Sequence, residues 1–142
     1  DTYDLGQSQF TVLGPVGDYA DELNDWSVGI RLTDGNHSFV MCGDAETEAE
    51  EDMTRSGLNL SADVLKSGHH GSRTSSSPEF LEAVSPSWAV ISCGKGNSYG
   101  HPHKETLKKY AEHRIQVLRT DEKGTIIASS SPEGLTWTYT KK

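Results

Sequence analysis

The sequence predicts an α/β fold built on a mixed sheet, and three observations predict it. Through the middle of the chain, strand-like apolar runs alternate with helical segments, as parallel strands joined by helical crossovers do. At both ends strands follow one another directly, which calls for antiparallel pairing. No internal repeat and no low-complexity linker divides the 142 residues, a length that fits one domain.

Residues 9–13 alternate apolar and polar and stop at Gly14-Pro15, the pattern of a strand with a breaker. Residues 16–24 are polar and read as loop. Trp26, Val28, Ile30 and Leu32 alternate again, predicting a strand over 26–32. Asp34-Gly35 is a hairpin signal, followed by a mostly apolar strand over 38–42. Residues 46–56 have helical character, with Gly57 as the stop. A short strand is predicted at 62–66, then an aperiodic loop of small polar residues at 67–77. Ser77-Pro78-Glu79 supplies an N-cap, a first-position proline and an acidic first turn, so a helix runs to about Val84. Residues 87–92 read as a buried strand and 94–100 as a glycine-rich loop. A helix follows Pro102 over 103–113, with Leu107, Tyr110 and Ala111 on one face. Three further strands are predicted at 115–118, 125–128 and 135–139. The terminal strands would be exposed edges unless another chain covers them.

Hydrophobic residues are 33% of the chain, below the roughly 45–50% apolar content usual for a globular unit when glycine is counted, although fourteen glycines narrow the gap. The net charge is −8, and six of the nine residues from Asp44 to Asp52 are acidic. That balance excludes a general basic clamp on a phosphate backbone. It leaves a metal site open, because a bound cation inverts the local sign. Apart from Asp44, the acidic run reads as a solvated helix face. Cys42 and Cys93 end strand-like runs and read as buried free thiols, since two cysteines make no disulfide framework. No transmembrane run and no signal peptide are present, and a start at Asp1 without Met is expected of a processed or truncated product.

The unusual polar residues fall where predicted strands end. Cys42-Gly43-Asp44 follows one strand, Gly68-His69-His70-Gly71-Ser72 the next, and Cys93-Gly94-Lys95-Gly96-Asn97 a third, whose loop closes with Gly100-His101-Pro102-His103. Ligands of α/β sheets bind beyond the carboxyl ends of strands, so these loops are expected to converge on one edge. Asp44 has a carboxylate that can bridge two divalent cations, or else it caps the 46–56 helix. His69 and His70 are adjacent, so on an extended chain their rings diverge. One could bind metal while the other makes a supporting or substrate contact. His101 and His103 flank a proline, and either could be a general acid or a phosphate contact, or simply decorate a helix start. His37 has no assigned role, and His113 complements a helix dipole. Gly94-Lys95-Gly96 is too short for a phosphate-binding P-loop, the serines at 72–77 lack a nucleophile elbow, and no CxxC pair offers zinc ligands.

Taken together, Asn24 to Leu32 with Phe39-Val40-Met41-Cys42-Gly43-Asp44, then Val64-Leu65-Lys66-Ser67-Gly68-His69-His70-Gly71-Ser72, resemble successive motifs of one family. Ala89-Val90-Ile91-Ser92 with Asn97-Ser98-Tyr99-Gly100-His101-Pro102-His103, and Lys123-Gly124-Thr125-Ile126, are similar to its later blocks. The family is that of metallo-β-lactamase-fold hydrolases related to the C-terminal domain of the ComEC DNA-uptake protein. The resemblance covers residues from about 10 to 130.

The resemblance implies an αββα sandwich, of which this chain would be the C-terminal half, and a dinuclear site of two zinc or manganese ions. It implies Asp44 as the bridging carboxylate and one of His69 and His70 as a late metal ligand. His101 or His103 would contact substrate or donate a proton. The implied reaction is attack by metal-bound hydroxide on a phosphodiester or other phosphoester. The family's His-x-His-x-Asp-His motif is absent from these 142 residues, and Asn24 stands near the place of a further family histidine. The chain alone is therefore expected to hold zinc weakly and to be a poor hydrolase. A choline-phosphate esterase of the same fold and a non-enzymatic binding domain are the alternatives. Implied partners are the complementary half-domain or a second copy of this chain, with DNA or another phosphoester as substrate. A cell-surface or extracellular setting and a membrane-attached parent protein are also implied.

Overall fold

The computed structural model describes residues 1–141. The order of elements is β1 (Thr2–Leu5), β2 (Ser8–Gly14), β3 (Gly29–Asp34), β4 (His37–Met41), α1 (Thr47–Arg55), β5 (Val64–Lys66), α2 (Pro78–Val84), β6 (Trp88–Ile91), α3 (Lys104–Glu112), β7 (Gln116–Arg119), α4 (Thr120–Lys123), β8 (Ile126–Ser131) and β9 (Gly134–Tyr139). Strands β1 to β7 form one sheet in sequence order, antiparallel from β1 to β4 and parallel from β4 to β7. The α/β class and the mixed sheet are thus as the sequence predicts.

The parallel half explains the layering. Each crossover carries a helix, and right-handed crossovers between neighbouring strands put their helices on one side. Val40, Leu65, Ala89 and Ile91 from the sheet pack there in a single cluster with Ala49 and Met53 of α1, Phe80, Leu81 and Val84 of α2, and Tyr110 of α3. Helix α2 starts as expected: Ser77 accepts a hydrogen bond from the Phe80 amide at 3.3 Å, and Pro78 holds the first turn. The opposite face carries a row set by strand register, Phe10, Leu32, Phe39, Val64 and Trp88. Strands β8 and β9 pair only with each other and lie over the end of this face, with the Trp137 ring 5.2 Å from Trp88. His37 Nδ1 meets Ser130 Oγ at 2.8 Å and ties that hairpin to the main sheet.

Several expectations need correction. Residues 26–28 are not strand: Leu23–Trp26 form a 3-10 turn, and β3 starts only at Gly29. The period-two pattern misleads because polar contacts hold this segment. Asp25 accepts the Glu46 amide at 2.7 Å and Ser27 Oγ accepts the Asp44 amide at 3.1 Å, leaving Trp26 and Val28 exposed. Strand β1 and the short α4 were not expected, and the last two strands leave the main sheet. The acidic run is not wholly solvated, because Glu50 is only 2% exposed on the inner side of α1. Cys42 is buried as expected, whereas Cys93 is only partly so.

The packing sets a clear order of mutational cost. Phe80→Ala, in the centre of the cluster, is expected to lower unfolding free energy by about 3–5 kcal/mol. Ser77→Ala, which removes the cap of α2, costs about 1 kcal/mol. Leu23→Ala, at an exposed turn position, stays within about 0.5 kcal/mol. Urea denaturation of the three variants measures the order, and equal losses at Phe80 and Leu23 would contradict the assigned core.

Candidate functional site

Because β4, β5 and β6 are parallel, the chain leaves all three at one edge of the sheet. Asp44 lies three residues past the end of β4, His69 and His70 follow β5, and Cys93 to His101 follow β6. There Asp44, His69, His70, Cys93, Gly94, Asn97, Tyr99 and His101 line one cleft of about 330 Å³. The expected convergence is therefore what the sheet produces.

Asp44 is not the cap of α1. The N-cap position belongs to Glu46, whose side chain makes no capping bond, and Asp44 sits two residues earlier in the turn that begins at Gly43. Gly43 is left-handed at φ 56°, and a side chain there would press on Ser27. The turn at residues 23–27 braces this segment from below: Ser27 and Asp25 hold the Asp44 and Glu46 amides, and Asn24 Nδ2 donates to Glu46 Oε1 at 3.1 Å.

The histidine pair does not lie on extended chain. His69 and His70 both adopt left-handed backbone, at φ 48° and 56°, in a single turn spanning Gly68–Gly71. Gly71 ends the turn at φ 85°, and a Cβ there would meet Pro102 at 2.7 Å, so this position needs glycine on two counts. The two rings diverge all the same. His69 Nδ1 lies 3.1 Å from Glu46 Oε1 and 3.4 Å from the Thr74 hydroxyl. His70 Nδ1 is 2.8 Å from the Ser92 carbonyl, which can only accept, so the proton sits on Nδ1. The other nitrogen, Nε2, then faces Asp44 Oδ1 at 3.4 Å.

Two electron-pair donors facing each other need a positive charge between them. A tetrahedral zinc at ordinary bond lengths holds an imidazole nitrogen and a carboxylate oxygen about 3.4 Å apart. The Asp44–His70 pair thus fits as two ligands of one cation, with the Ser92 carbonyl orienting the ring as such ligands require. Among the described residues no set of three His, Cys, Asp or Glu groups is placed to hold a metal. The chain's own donors therefore fall short of the three protein ligands of a catalytic zinc.

His101 covers the pair. Its ring centroid lies 5.7 Å from that of His69 and 6.4 Å from that of His70. Asn97 fixes its backbone from both sides, accepting from the His101 amide at 3.0 Å and donating to its carbonyl at 2.6 Å. Burial, then the neighbouring His103, His69 and His70, push the His101 imidazole below its ordinary value. It is therefore neutral at pH 7 and better suited to accept a proton or a hydrogen bond than to act as an acid. His103 is differently used. Its Nδ1 accepts the Arg73 amide at 2.9 Å and its Nε2 donates to the Tyr99 carbonyl at 3.1 Å, so both nitrogens tie loops together outside the cleft lining.

Residue-by-residue reading of the sequence missed three contributors. Tyr99 is 76% exposed at the mouth of the cleft and stacks on His101 with centroids 5.5 Å apart. Cys93 lines the cleft, although burial and then the adjacent Asp121 carboxylate push its thiol up and keep it protonated. Glu50, although remote from the cleft, accepts the Ser76 and Ser77 amides at 2.5 and 2.8 Å and so holds the far end of the histidine loop. Its signal in the sequence was position: it sits between Ala49 and Met53 on the apolar stripe of α1.

No family model matches this chain. It is 40% identical over 126 residues to ComE operon protein 3 of Bacillus subtilis, covering 89% of this chain and 16% of the relative. It is 42% identical over 104 residues to competence protein ComA of Neisseria gonorrhoeae, covering 72% of this chain and 15% of that one. Recombination protein 2 of Haemophilus influenzae is 33% identical over 117 residues, with 82% of this chain and 15% of the relative covered. The chain's homologues are thus competence proteins of the ComEC type, and it spans about a sixth of their length.

Glu50 gives the site a pH signature in stability. Burial raises its carboxyl from 4.5 to about 7, against the opposing hydrogen bonds of Ser77 and Ser76 and the charge of Lys109. Between those values the folded chain holds a proton that the unfolded chain has released, so this group makes stability fall as pH rises from about 4.5 to 7, by at most about 1.4 kcal/mol per pH unit. Above that window its contribution is flat. Thermal unfolding of the wild type and Glu50→Gln from about pH 5 to about pH 8 reads the difference. Parallel curves for the two proteins would refute the assignment.

Proposed function

We propose that this chain is part of a metal-dependent phosphodiesterase site of a competence protein, acting on incoming DNA. The single observation that carries the reading is the Asp44–His70 pair, two donors 3.4 Å apart with the ring oriented from behind by Ser92, at the floor of an open cleft. Competence and recombination, the processes named in the relatives, are dealings with DNA, and a phosphodiester is the bond such a site would cut. The apolar face of the sheet opposite the helices suits the reading of the chain as the C-terminal half of a metallo-β-lactamase-like sandwich, with a second sheet laid against that face. Ligands from outside this segment would complete the set. The segment would then work at the cell surface or outside it, where DNA is met.

Zinc or manganese, when bound, would supply Lewis-acid polarisation of a phosphoryl oxygen. The chain's own residues do the rest. Asp44 and His70 hold the cation side of the cleft. Neutral His101, fixed by Asn97, offers a ring nitrogen to the phosphate or to a proton in transit. Tyr99 leaves one ring face open beside it, which suits stacking on a base of an unpaired strand. A choline-phosphate esterase is disfavoured, because a quaternary ammonium is held by several aromatic faces. Among the described residues Tyr99 is the one Phe, Tyr or Trp ring in the cleft lining, while Trp88 and Trp137 stack on each other elsewhere.

Calorimetric titration of the chain with zinc is expected to show one weak event, much weaker than a four-ligand structural site. The event should vanish in Asp44→Ala and in His70→Ala and persist in His37→Ala. The chain alone should leave bis-p-nitrophenyl phosphate and single-stranded DNA uncut. Zinc binding indifferent to both Asp44 and His70 would remove the site. Robust cleavage by the chain alone would show that its ligand set is complete after all.

A further inference from the structure

The turn that carries His69 and His70 is strained. Two successive non-glycine residues are left-handed there, and Ser76 at the far end of the same loop is left-handed too, at φ 58°. Such backbone is unfavourable for non-glycine residues and persists only where the surroundings over-determine it. The surroundings here are a buried polar cluster that takes no part in the cleft. Glu50 reaches from α1 and accepts the Ser76 and Ser77 amides. The Tyr110 hydroxyl, fully buried on α3, is hydrogen-bonded to Ser67 at 2.6 Å and to Ser76 at 2.7 Å, and so grips both ends of the loop. Lys109 Nζ donates to the Ser75 carbonyl at 2.7 Å, and Ser75 Oγ donates to the Ala45 carbonyl at 2.7 Å, one residue from Asp44. The charged and titratable groups facing Glu50 are Lys109 and Tyr110 on α3 and Cys42 after β4.

We propose that Glu50 and Tyr110 are positioning residues of the site: from α1 and α3 they lock the 67–77 loop in the one strained conformation that turns His70 toward Asp44. The chemistry asks for this arrangement. A loop with three left-handed non-glycine residues relaxes if its amides find water instead, and a tethered ring shifts with it. The Glu50 carboxyl reaches the loop with one acceptor oxygen for each of two amides. A tyrosine hydroxyl offers one donor and two acceptor sites, enough to join Ser67 to Ser76 across ten residues of chain. Burial keeps both anchors dry, so the bonds are not exchanged for water. This rests on the cleft reading only in that His70 and Asp44 belong to the site; the placement of the loop is measurable without any activity.

Amide hydrogen exchange and histidine proton NMR of the whole chain test it, with Glu50→Gln and Tyr110→Phe compared with the exposed control Glu51→Gln. Glutamine keeps the shape of Glu50 but turns one acceptor into a donor facing an amide; phenylalanine keeps the Tyr110 ring and loses the hydroxyl. Both variants are expected to speed exchange of loop amides within 67–77 by about tenfold or more, while amides of β4, β5 and β6 stay within about twofold. The His69 and His70 ring signals should move, those of His37 and His113 should stay, and Glu51→Gln should change nothing. Glu50→Asp should restore part of the protection. Uniform acceleration over the whole chain would reduce both residues to ordinary stability contributors and overturn the proposal. Unmoved His69 and His70 signals in a folded variant would do the same. If neither variant folds, loss of loop protection with intact sheet protection in a wild-type urea series below the unfolding midpoint is the expected result, and simultaneous loss overturns it. None of these outcomes depends on zinc binding or cleavage, so failure of the phosphodiesterase reading is seen separately.

Discussion

Parallel pairing of β4, β5 and β6 is the constraint from which the rest of the structure follows. Parallel neighbours must be joined by crossovers, and crossovers of one hand stack α1, α2 and α3 on one face of the sheet. The same geometry makes the chain leave each of these strands at the same edge. Asp44, the histidine pair and the Cys93–His101 loop come from distant parts of the chain, yet none had to be brought to the others by a special contact. A sheet built only of hairpins would have sent alternate loops to opposite edges. The antiparallel half, β1 to β3, serves a different end, since it widens the sheet and extends its second face.

Gathering polar loops at one edge creates a problem of hydrogen bonding. The 67–77 segment between β5 and α2 has no regular ladder of its own beyond one turn, and much of it is too buried to be solvated: Ser67, Ser72, Ser75, Ser76 and Ser77 are all buried. Buried amides and carbonyls must find partners in the protein. Small residues let α1 and α3 come close enough for Glu50, Lys109 and Tyr110 to provide them. The run of serines is thus a packing solution as much as a chemical one. The raised carboxyl of Glu50 is the physical trace of that arrangement, because placing an acceptor for two amides in the interior exposes it to desolvation.

Much of this was legible in the sequence where a local rule and the tertiary fold agree. Ser77-Pro78-Glu79 started α2 as written, and glycine-flanked polar residues at strand ends marked the edge where the cleft lies. The parallel–antiparallel division was legible from the alternation of segments. What was not legible depends on partners far along the chain. Trp26 and Val28 alternate as a strand should, but the carboxylate of Asp25 and the hydroxyl of Ser27 are claimed by the segment at Asp44–Glu46. Glu50 belongs to an acidic run that reads as solvent-facing; its place between Ala49 and Met53 is a weak local signal, and the loop laid over it supplies the partners that turn it inward. The left-handed turn at His69-His70 breaks the preference of both residues, and no local signal announces such a break. Gly71, left-handed itself and too close to Pro102 to carry a Cβ, lets the chain leave that turn.

His70 shows how little of a site need be unusual for the whole to be specific. Its ring is half exposed, and its bond to Ser92 is an ordinary one. Specificity comes from direction: Nδ1 is committed to a carbonyl, so Nε2 has no choice but to present itself to Asp44. His103, only a short way along the chain from His101, has both nitrogens committed and presents neither. Two histidines flanking one proline therefore have opposite uses, decided by which loops their nitrogens must hold together. The Asp44–His70 pair stays electrostatically incomplete until a cation or a proton lies between its two donors. A half-exposed pair of this kind gains little stability from its own interaction, so its geometry is maintained by what lies behind it, the turn under Asp44 and the buried cluster under the histidine loop. The arrangement spends folding free energy away from the cleft to keep an unfinished site in shape.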